Sequence, residues 1–185
     1  VDRMRRMVVR DRNHPCVVIW SLGNESNSGE NHHRMRAAAL ALDPTRPIHY
    51  ESGADLQASD FVCVGYSSWQ REQLFAEGKD VPDRLGVVAE EMDPALLMSV
   101  NMIRYETYKN HPIVATEYMH SMGNSGCEME KHADVFEHSD RWCGGFVWDY
   151  KDKALAHPAL GYGYGGDFGP GDQPGTMCCN GIANP

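Results

Sequence analysis

Short, unbroken apolar runs recur along the chain, separated by longer amphipathic or polar stretches. Residues 2–12 are charged, with Met4, Met7 and Val8 at helical spacing, which predicts the end of a surface helix. Asn13-His14-Pro15 stops it. Cys16-Val17-Val18-Ile19-Trp20 follows without alternation, as expected of a strand covered on both faces. A loop from Ser21 to about Gly29 leads into a helix through Ala37-Ala38-Ala39-Leu40-Ala41-Leu42, which Asp43-Pro44 ends. The same rhythm predicts strands at about 16–20, 47–50, 61–65, 113–117 and 144–149, with further helices over 94–108 and about 127–138. Residues 67–92 read as irregular, and the Gly- and Pro-rich stretch from Gly161 onward reads as ordered loop.

Buried strands alternating with helices predict a parallel α/β architecture. No repeat of fixed period and no low-complexity tract is present. A complete eight-stranded barrel takes about 250 residues. A chain of 185 residues is therefore either a smaller open sheet or a barrel lacking three strands.

Composition narrows the partners. A formal net charge of −9 argues against nucleic acid, whose phosphates reward a basic surface. It gives no attraction to an anionic membrane either. No stretch approaches the ~20 apolar residues of a spanning helix. Val1-Asp2-Arg3-Met4-Arg5-Arg6 has no apolar segment behind it and so does not read as a signal peptide. The missing initial Met suggests a start inside a longer protein. The cysteines Cys16, Cys63, Cys127, Cys143, Cys178 and Cys179 form no Cys-x-x-Cys pair, and the adjacent two suit neither zinc nor an easy bridge. Cys16 and Cys63 read as small core residues. A reducing cytoplasm fits this usage.

Polar residues of interest cluster just after the strands, where parallel α/β folds form their binding mouths. Trp20 leads into Asn24-Glu25-Ser26, Thr116 into Glu117-Tyr118-Met119-His120, and Val147 into Trp148-Asp149. Glycosidic cleavage needs one carboxylic acid to protonate the leaving oxygen and a second carboxylate to attack or stabilise the sugar carbon. Glu25 and Glu117 could supply both, or could equally be solvated loop glutamates or helix caps; spacing does not choose. Trp148, Tyr66 and Trp69 could stack on sugar C–H faces, whereas Trp20 reads as core. His120 could bind a hydroxyl or a metal, or be structural. His32-His33 read as solvated. Glu51 echoes Glu25 but lacks the preceding Asn, and reads as scaffold. Gly165-Gly166-Asp167-Phe168-Gly169 follows no clean strand, which speaks against a phosphate cradle.

These segments carry a resemblance. Arg10-Asp11-Arg12-Asn13-His14-Pro15, with Ile19-Trp20-Ser21-Leu22-Gly23-Asn24-Glu25-Ser26, resembles the acid/base signature of family-2 glycoside hydrolases. Thr116 to Ser125 is similar to the nucleophile segment of the large bacterial β-galactosidases. Gly144 to Tyr150, Tyr164 to Gly169 and Asn180-Gly181 resemble the segments that follow, in the same order. The resemblance covers essentially the whole chain, with 67–92 matching poorly.

It implies an incomplete (β/α)8 TIM barrel, strands four to eight of one partial catalytic domain over residues 1–185. It also implies retaining hydrolysis of β-galactosides, with Glu25 as acid/base and Glu117 as nucleophile. The acid must start protonated, and in a retaining enzyme the two carboxyls stand about 5–5.5 Å apart. Tyr66 would assist release of galactose from the nucleophile, Asn24 would bind the 2-hydroxyl, His120 another hydroxyl, and Trp148 would floor the site. Mg2+ would use Glu25 with upstream ligands. Na+ would use Asn180 and the backbone oxygen of Met177, which stands where the family has Phe. The full-length enzyme would be a cytoplasmic homo-oligomer, and the isolated 185 residues weakly stable and barely active. The neighbouring possibilities are a β-glucuronidase, whose segment usually reads Asn-Glu-Pro rather than Asn24-Glu25-Ser26, a β-mannosidase, or an inert sugar-binding fragment.

Overall fold

The computed structural model describes residues 1–51, 55–83, 102–121, 125–153, 155–169 and 179–183. Its frame is a set of parallel strands with helices packed on one face. Strand β1 (Trp20–Asn24) pairs in parallel with β2 (Ile48–Glu51), and β3 (Val62–Gly65), β6 (Ile113–Tyr118) and β7 (Trp142–Val147) form a second parallel sheet. Between the two, the Asp60 carboxylate accepts from Ile48 N–H at 2.7 Å, and Asp60 N–H donates to the Ile48 carbonyl at 2.8 Å. A side chain thus stands in for strand pairing where β2 meets the start of β3. Two short antiparallel pairs complete the strands, β4 (Val81–Pro82) with β5 (Met102–Ile103), and β8 (Leu155–His157) with β9 (Gly161–Gly163).

Period-two alternation sorts the strand residues onto two faces. Trp20 and Leu22, with Ile48 and Tyr50, pack against Met4 and Val8 of α1 (Asp2–Asp11) and Ala39 of α2 (Glu30–Leu40). Val62, Val64, Ile113 and Ala115 pack against Phe75 of α3 (Trp69–Ala76) and Val135 of the helix Met129–Glu137. The opposite face carries Ile19, Ser21, His49, Phe61, Val114 and Phe146, which line a cavity of about 540 Å3. These arcs are the sheet-and-helix layers of an α/β barrel, and the described strands do not close into one. Among the described residues no helix is long and apolar enough to cross a membrane.

Several expectations need correction. The first strand begins at Trp20, not at residue 16: the Trp20 N–H takes the Pro47 carbonyl at 3.0 Å, whereas Val17 N–H closes a turn onto His14. Cys16 and Val18 are exposed, so Cys16 is not a core residue, while Cys63 is. The stretch 67–92 is not wholly irregular. Ser68 caps α3 by accepting from the Arg71 N–H, and the buried Glu72 side chain pairs with His132 Nδ1 at 2.7 Å. Within 94–108 the described residues give β5 and one helical turn, Tyr105–Tyr108, and the remainder lies outside them. The stretch after Gly161 is not simply loop, since it supplies β9 and a 3-10 turn over Gly165–Phe168. His32 and His33 are half-buried rather than solvated, His32 stacked on Tyr50 at 4.0 Å and His33 bonded to Asp55 at 3.2 Å.

Two features set the frame. Asp43, which is buried, accepts from the Trp20 indole N–H at 3.0 Å, from Thr45 Oγ1 and from Arg46 Nη1, so these hydrogen bonds hold its carboxyl well below the ordinary range. The group is charged in the fold, so its contribution is complete above the ordinary Asp value of 3.8 and is lost as pH falls below it. Asp43→Asn is expected to lower the melting temperature at neutral pH, with the gap to wild type closing as the pH is taken below that value; equal melting temperatures at neutral pH would refute the role. Gly145 faces Ala115 in register, and a Cβ there would stand 2.8 Å from Ala115 Cβ and 3.1 Å from Tyr118. Gly145→Val is expected to cost about 1–3 kcal/mol through overpacking, read as a lower denaturant midpoint.

Candidate active site

The carboxyl ends of the parallel strands are irregular in a consistent way. The register shifts between Ser21 and Asn24 in β1, between Val64 and Gly65 in β3, and between Ala115 and Tyr118 in β6. Such irregularities re-aim side chains at the rim of a barrel. Immediately beyond them, Glu25 (φ +44°), Tyr66 (φ +43°) and Met119 (φ +61°) lie in the left-handed region that bulky residues rarely occupy. Surrounding contacts must hold such a backbone, and the structure supplies them from neighbouring strands. Glu25 N–H donates to the Glu51 carbonyl at 3.0 Å, Tyr66 N–H to the Glu117 carbonyl at 2.7 Å, and Trp148 N–H to the Tyr118 carbonyl at 2.8 Å.

These bonds bring the sequence candidates together. Asn24, Glu117 and Trp148 line the cavity of about 540 Å3, and Glu25 and Tyr66 line an adjoining one of about 400 Å3, with Glu51 on both. The Tyr66 phenol faces the Glu117 side chain and feels the charges of Glu117, Glu25 and Asp149. Burial first, and then these groups, push its ionisation far above the ordinary tyrosine value of 10.0. The Tyr66 ring stands edge-on to His120 at 5.2 Å, and His120 Nε2 meets the Asn180 amide at 3.3 Å. Asn180 is fully buried, and its carbonyl accepts from Asp149 N–H at 3.1 Å. Glu25 itself is exposed and Glu117 half-buried. On the Glu25 side, Tyr50 OH donates to the Asn27 carbonyl at 3.1 Å and accepts from Ser26 N–H at 3.3 Å.

Three details were not legible as site features. Glu51 is buried between the two candidate carboxylates, and its carboxyl bonds to Thr116. Burial pushes that carboxyl up, the Thr116 bond opposes the rise, and the charges of Glu117 and Glu25 add to it. Lys153 Nζ sits 4.1 Å from the centroid of the Trp148 ring and pairs with Asp149 at 2.5 Å. His49, Glu51 and Cys63 converge, with ligand atoms within 4.8 Å of one another. Burial lifts the Cys63 thiol to about 12, and the Glu51 carboxyl is already bonded to Thr116. Strand alternation would have placed His49 and Glu51 on one face, but nothing in the sequence shows which strand end they meet.

The ions implied by resemblance fit these residues incompletely. Mg2+ requires a near-octahedral set of oxygens, and of its expected ligands this chain supplies the Glu25 carboxylate. For Na+, Asn180 turns its amide nitrogen toward His120, and Met177 lies outside the described residues.

Comparison with known proteins bears on this arrangement. The description glycosyl hydrolases family 2, TIM barrel domain, matches residues 1–185. The chain belongs to that family. As a family-2 chain it is 38% identical over 189 residues to the beta-galactosidase of Pectobacterium atrosepticum, covering 100% of this chain and 16% of that relative. It is 38% identical over 190 residues to the beta-galactosidase of Vibrio cholerae serotype O1, covering 100% and 17%. The chain thus spans about one sixth of the length of these curated relatives. Among solved structures, the beta-D-glucuronidase of Dictyoglomus thermophilum superposes with a TM-score of 0.54 at 20% identity, covering 99% of this chain and 31% of that one. A Ruminococcus gnavus beta-glucuronidase gives 0.56 at 19% identity, covering 99% and 31%. At such identity these likenesses speak for the fold alone.

Held by burial and by Glu117, the Tyr66 phenol stays un-ionised through pH 10, where ordinary tyrosines titrate. Spectrophotometric titration of wild type and Tyr66→Phe is expected to give the same tyrosinate amplitude around that pH. Loss of about one tyrosine's amplitude in the variant would show that Tyr66 ionises normally.

Proposed function

We propose that this chain is the catalytic part of a retaining β-galactosidase working by double displacement. The observation that carries the reading is the strand-end constellation: Asn24 and Glu117 line one cavity, Glu25 and Tyr66 the adjoining one, and the Tyr66 ring stands edge-on to His120. A family-2 chain that presents two carboxylates and a tyrosine to one mouth has the parts that glycosidic cleavage requires. The choice of galactose rests on relatives at 38% identity named as beta-galactosidases.

In this mechanism Glu25 protonates the glycosidic oxygen as Glu117 attacks the anomeric carbon, and the leaving alcohol departs. A covalent galactosyl-Glu117 ester remains. Glu25, now a carboxylate, takes a proton from water, which displaces Glu117 and regenerates both groups with retained configuration. The Tyr66 phenol donates to the Glu117 carboxylate, orienting it and stabilising it as the departing group. Asn24 holds the 2-hydroxyl, His120 a second hydroxyl, and Trp148 gives the ring an apolar floor. Mg2+ at Glu25 and Na+ at Asn180 and Met177 belong to the same proposal, completed by ligands from outside this chain. So do a cytoplasmic setting and a homo-oligomeric full-length protein.

The test uses the full-length protein with nitrophenyl β-galactoside and nitrophenyl β-glucuronide, the initial anomer being followed by NMR. Galactoside preference with a β-anomeric first product is expected. Glu25→Gln should lower turnover of a poor leaving group by about 10²–10⁴-fold, and Glu117→Gln should abolish the covalent intermediate. Preference for the glucuronide would overturn the substrate assignment, and an α-anomeric first product the mechanism. Sugar binding that survives Glu117→Gln in a protein without hydrolysis would favour a binding module.

A further inference from the structure

Glu51 ends β2 opposite Asn24 in register, and two hydrogen bonds and one close approach run from it toward the three strand ends that carry Glu25, Tyr66 and Glu117. Its backbone carbonyl accepts the Glu25 N–H at 3.0 Å. Its carboxyl Oε2 accepts from Thr116 Oγ1, one residue before Glu117. Its other oxygen, Oε1, lies 3.0 Å from where a Cβ on Gly65 would stand, one residue before Tyr66. The side chain is 8% exposed, so these contacts replace water rather than supplement it.

We propose that Glu51 is a positioning residue that fixes the acid/base, nucleophile and tyrosine loops relative to one another. The inference rests on the glycosidase reading for what those loops do. Each chemical detail has a reason. The half-buried Thr116 hydroxyl needs an acceptor, and leaving it unsatisfied would cost stability and fix nothing. An Asp at 51 would stop one methylene short. Gly65 is small because the space a Cβ would fill belongs to the Glu51 carboxyl. Tyr66 N–H in turn donates to the Glu117 carbonyl at 2.7 Å, so moving Glu51 disturbs the nucleophile from two directions. Misplacement by about 1 Å in such a constellation can cost about 100-fold in rate.

The experiment is a double-mutant cycle in the full-length protein, with kcat and KM on nitrophenyl β-galactoside and melting temperature for each variant. Glu51→Ala and Thr116→Val are each expected to lower kcat by about 10–100-fold with little change in KM. The double variant should lose no more than the worse single, because Thr116→Val removes only a bond that Glu51→Ala already removes. Glu51→Gln, whose amide oxygen still accepts from Thr116, should recover most of the lost turnover, and Gly65→Ala should reproduce the loss by pushing the carboxyl aside. A purely structural Glu51 would lower the melting temperature without the split between kcat and KM and without rescue by Gln. If Glu51→Ala fails to fold, Thr116→Val and Gly65→Ala carry the test, and wild-type kcat in both overturns the proposal. Unchanged kcat in Glu51→Ala, or additive losses in the cycle, also overturns it while Glu25→Gln and Glu117→Gln remain impaired. If Glu25→Gln and Glu117→Gln keep wild-type turnover, the glycosidase reading itself is wrong.

Discussion

A side chain that must reach across the mouth of a parallel sheet cannot do so from a regular strand, whose residues point alternately up and down. The chain here must turn sharply at each strand end, and a turned backbone needs its N–H satisfied. Three cross-strand hydrogen bonds meet that need: Glu25 to Glu51, Tyr66 to Glu117, and Trp148 to Tyr118. Each uses the carbonyl of the neighbouring strand as its anchor. The strand-end loops are therefore built as continuations of sheet pairing, and the left-handed backbone at Glu25 and Tyr66 is sustained by the same bonds that join the strands. The helices on the outer face matter to the site through this route. Packing of Tyr50, Ile48, Ile113 and Ala115 sets the strands, and the strands set the loops.

The electrostatic arrangement follows from that geometry. Three carboxylates, Glu25, Glu51 and Glu117, share one region, and a tyrosine faces two of them. Like charges so placed oppose one another unless some are hydrogen-bonded or protonated. The Thr116 hydroxyl on Glu51 provides a donor without adding charge. Lys153 and its partner Asp149 stand beside Trp148 at the edge of this region.

Much of this was legible from residue order. Unalternating runs located the parallel strands to within a few residues, and their polar successors named Glu25, Glu117 and Trp148. The first strand was misplaced because Cys16 to Ile19 is as apolar as a strand, while pairing starts only where the Pro47 carbonyl meets Trp20. Helix Trp69–Ala76 was missed because its buried positions include Arg71 and Glu72, which periodicity counts as polar. Its Ser68 cap was the available signal. Glu51 read as scaffold on the ground that it lacks a preceding Asn. Its importance lies in contacts with Thr116 and Gly65, far off in sequence or on another strand, which no local pattern records.

The position of Lys153 over Trp148 has its own consequence. A cation over an indole gains about 0.5–1 kcal/mol at an exposed site, and this one is tethered by Asp149. The face of the ring that Lys153 covers is thereby closed to stacking unless the lysine moves, and moving it means parting it from Asp149 as well.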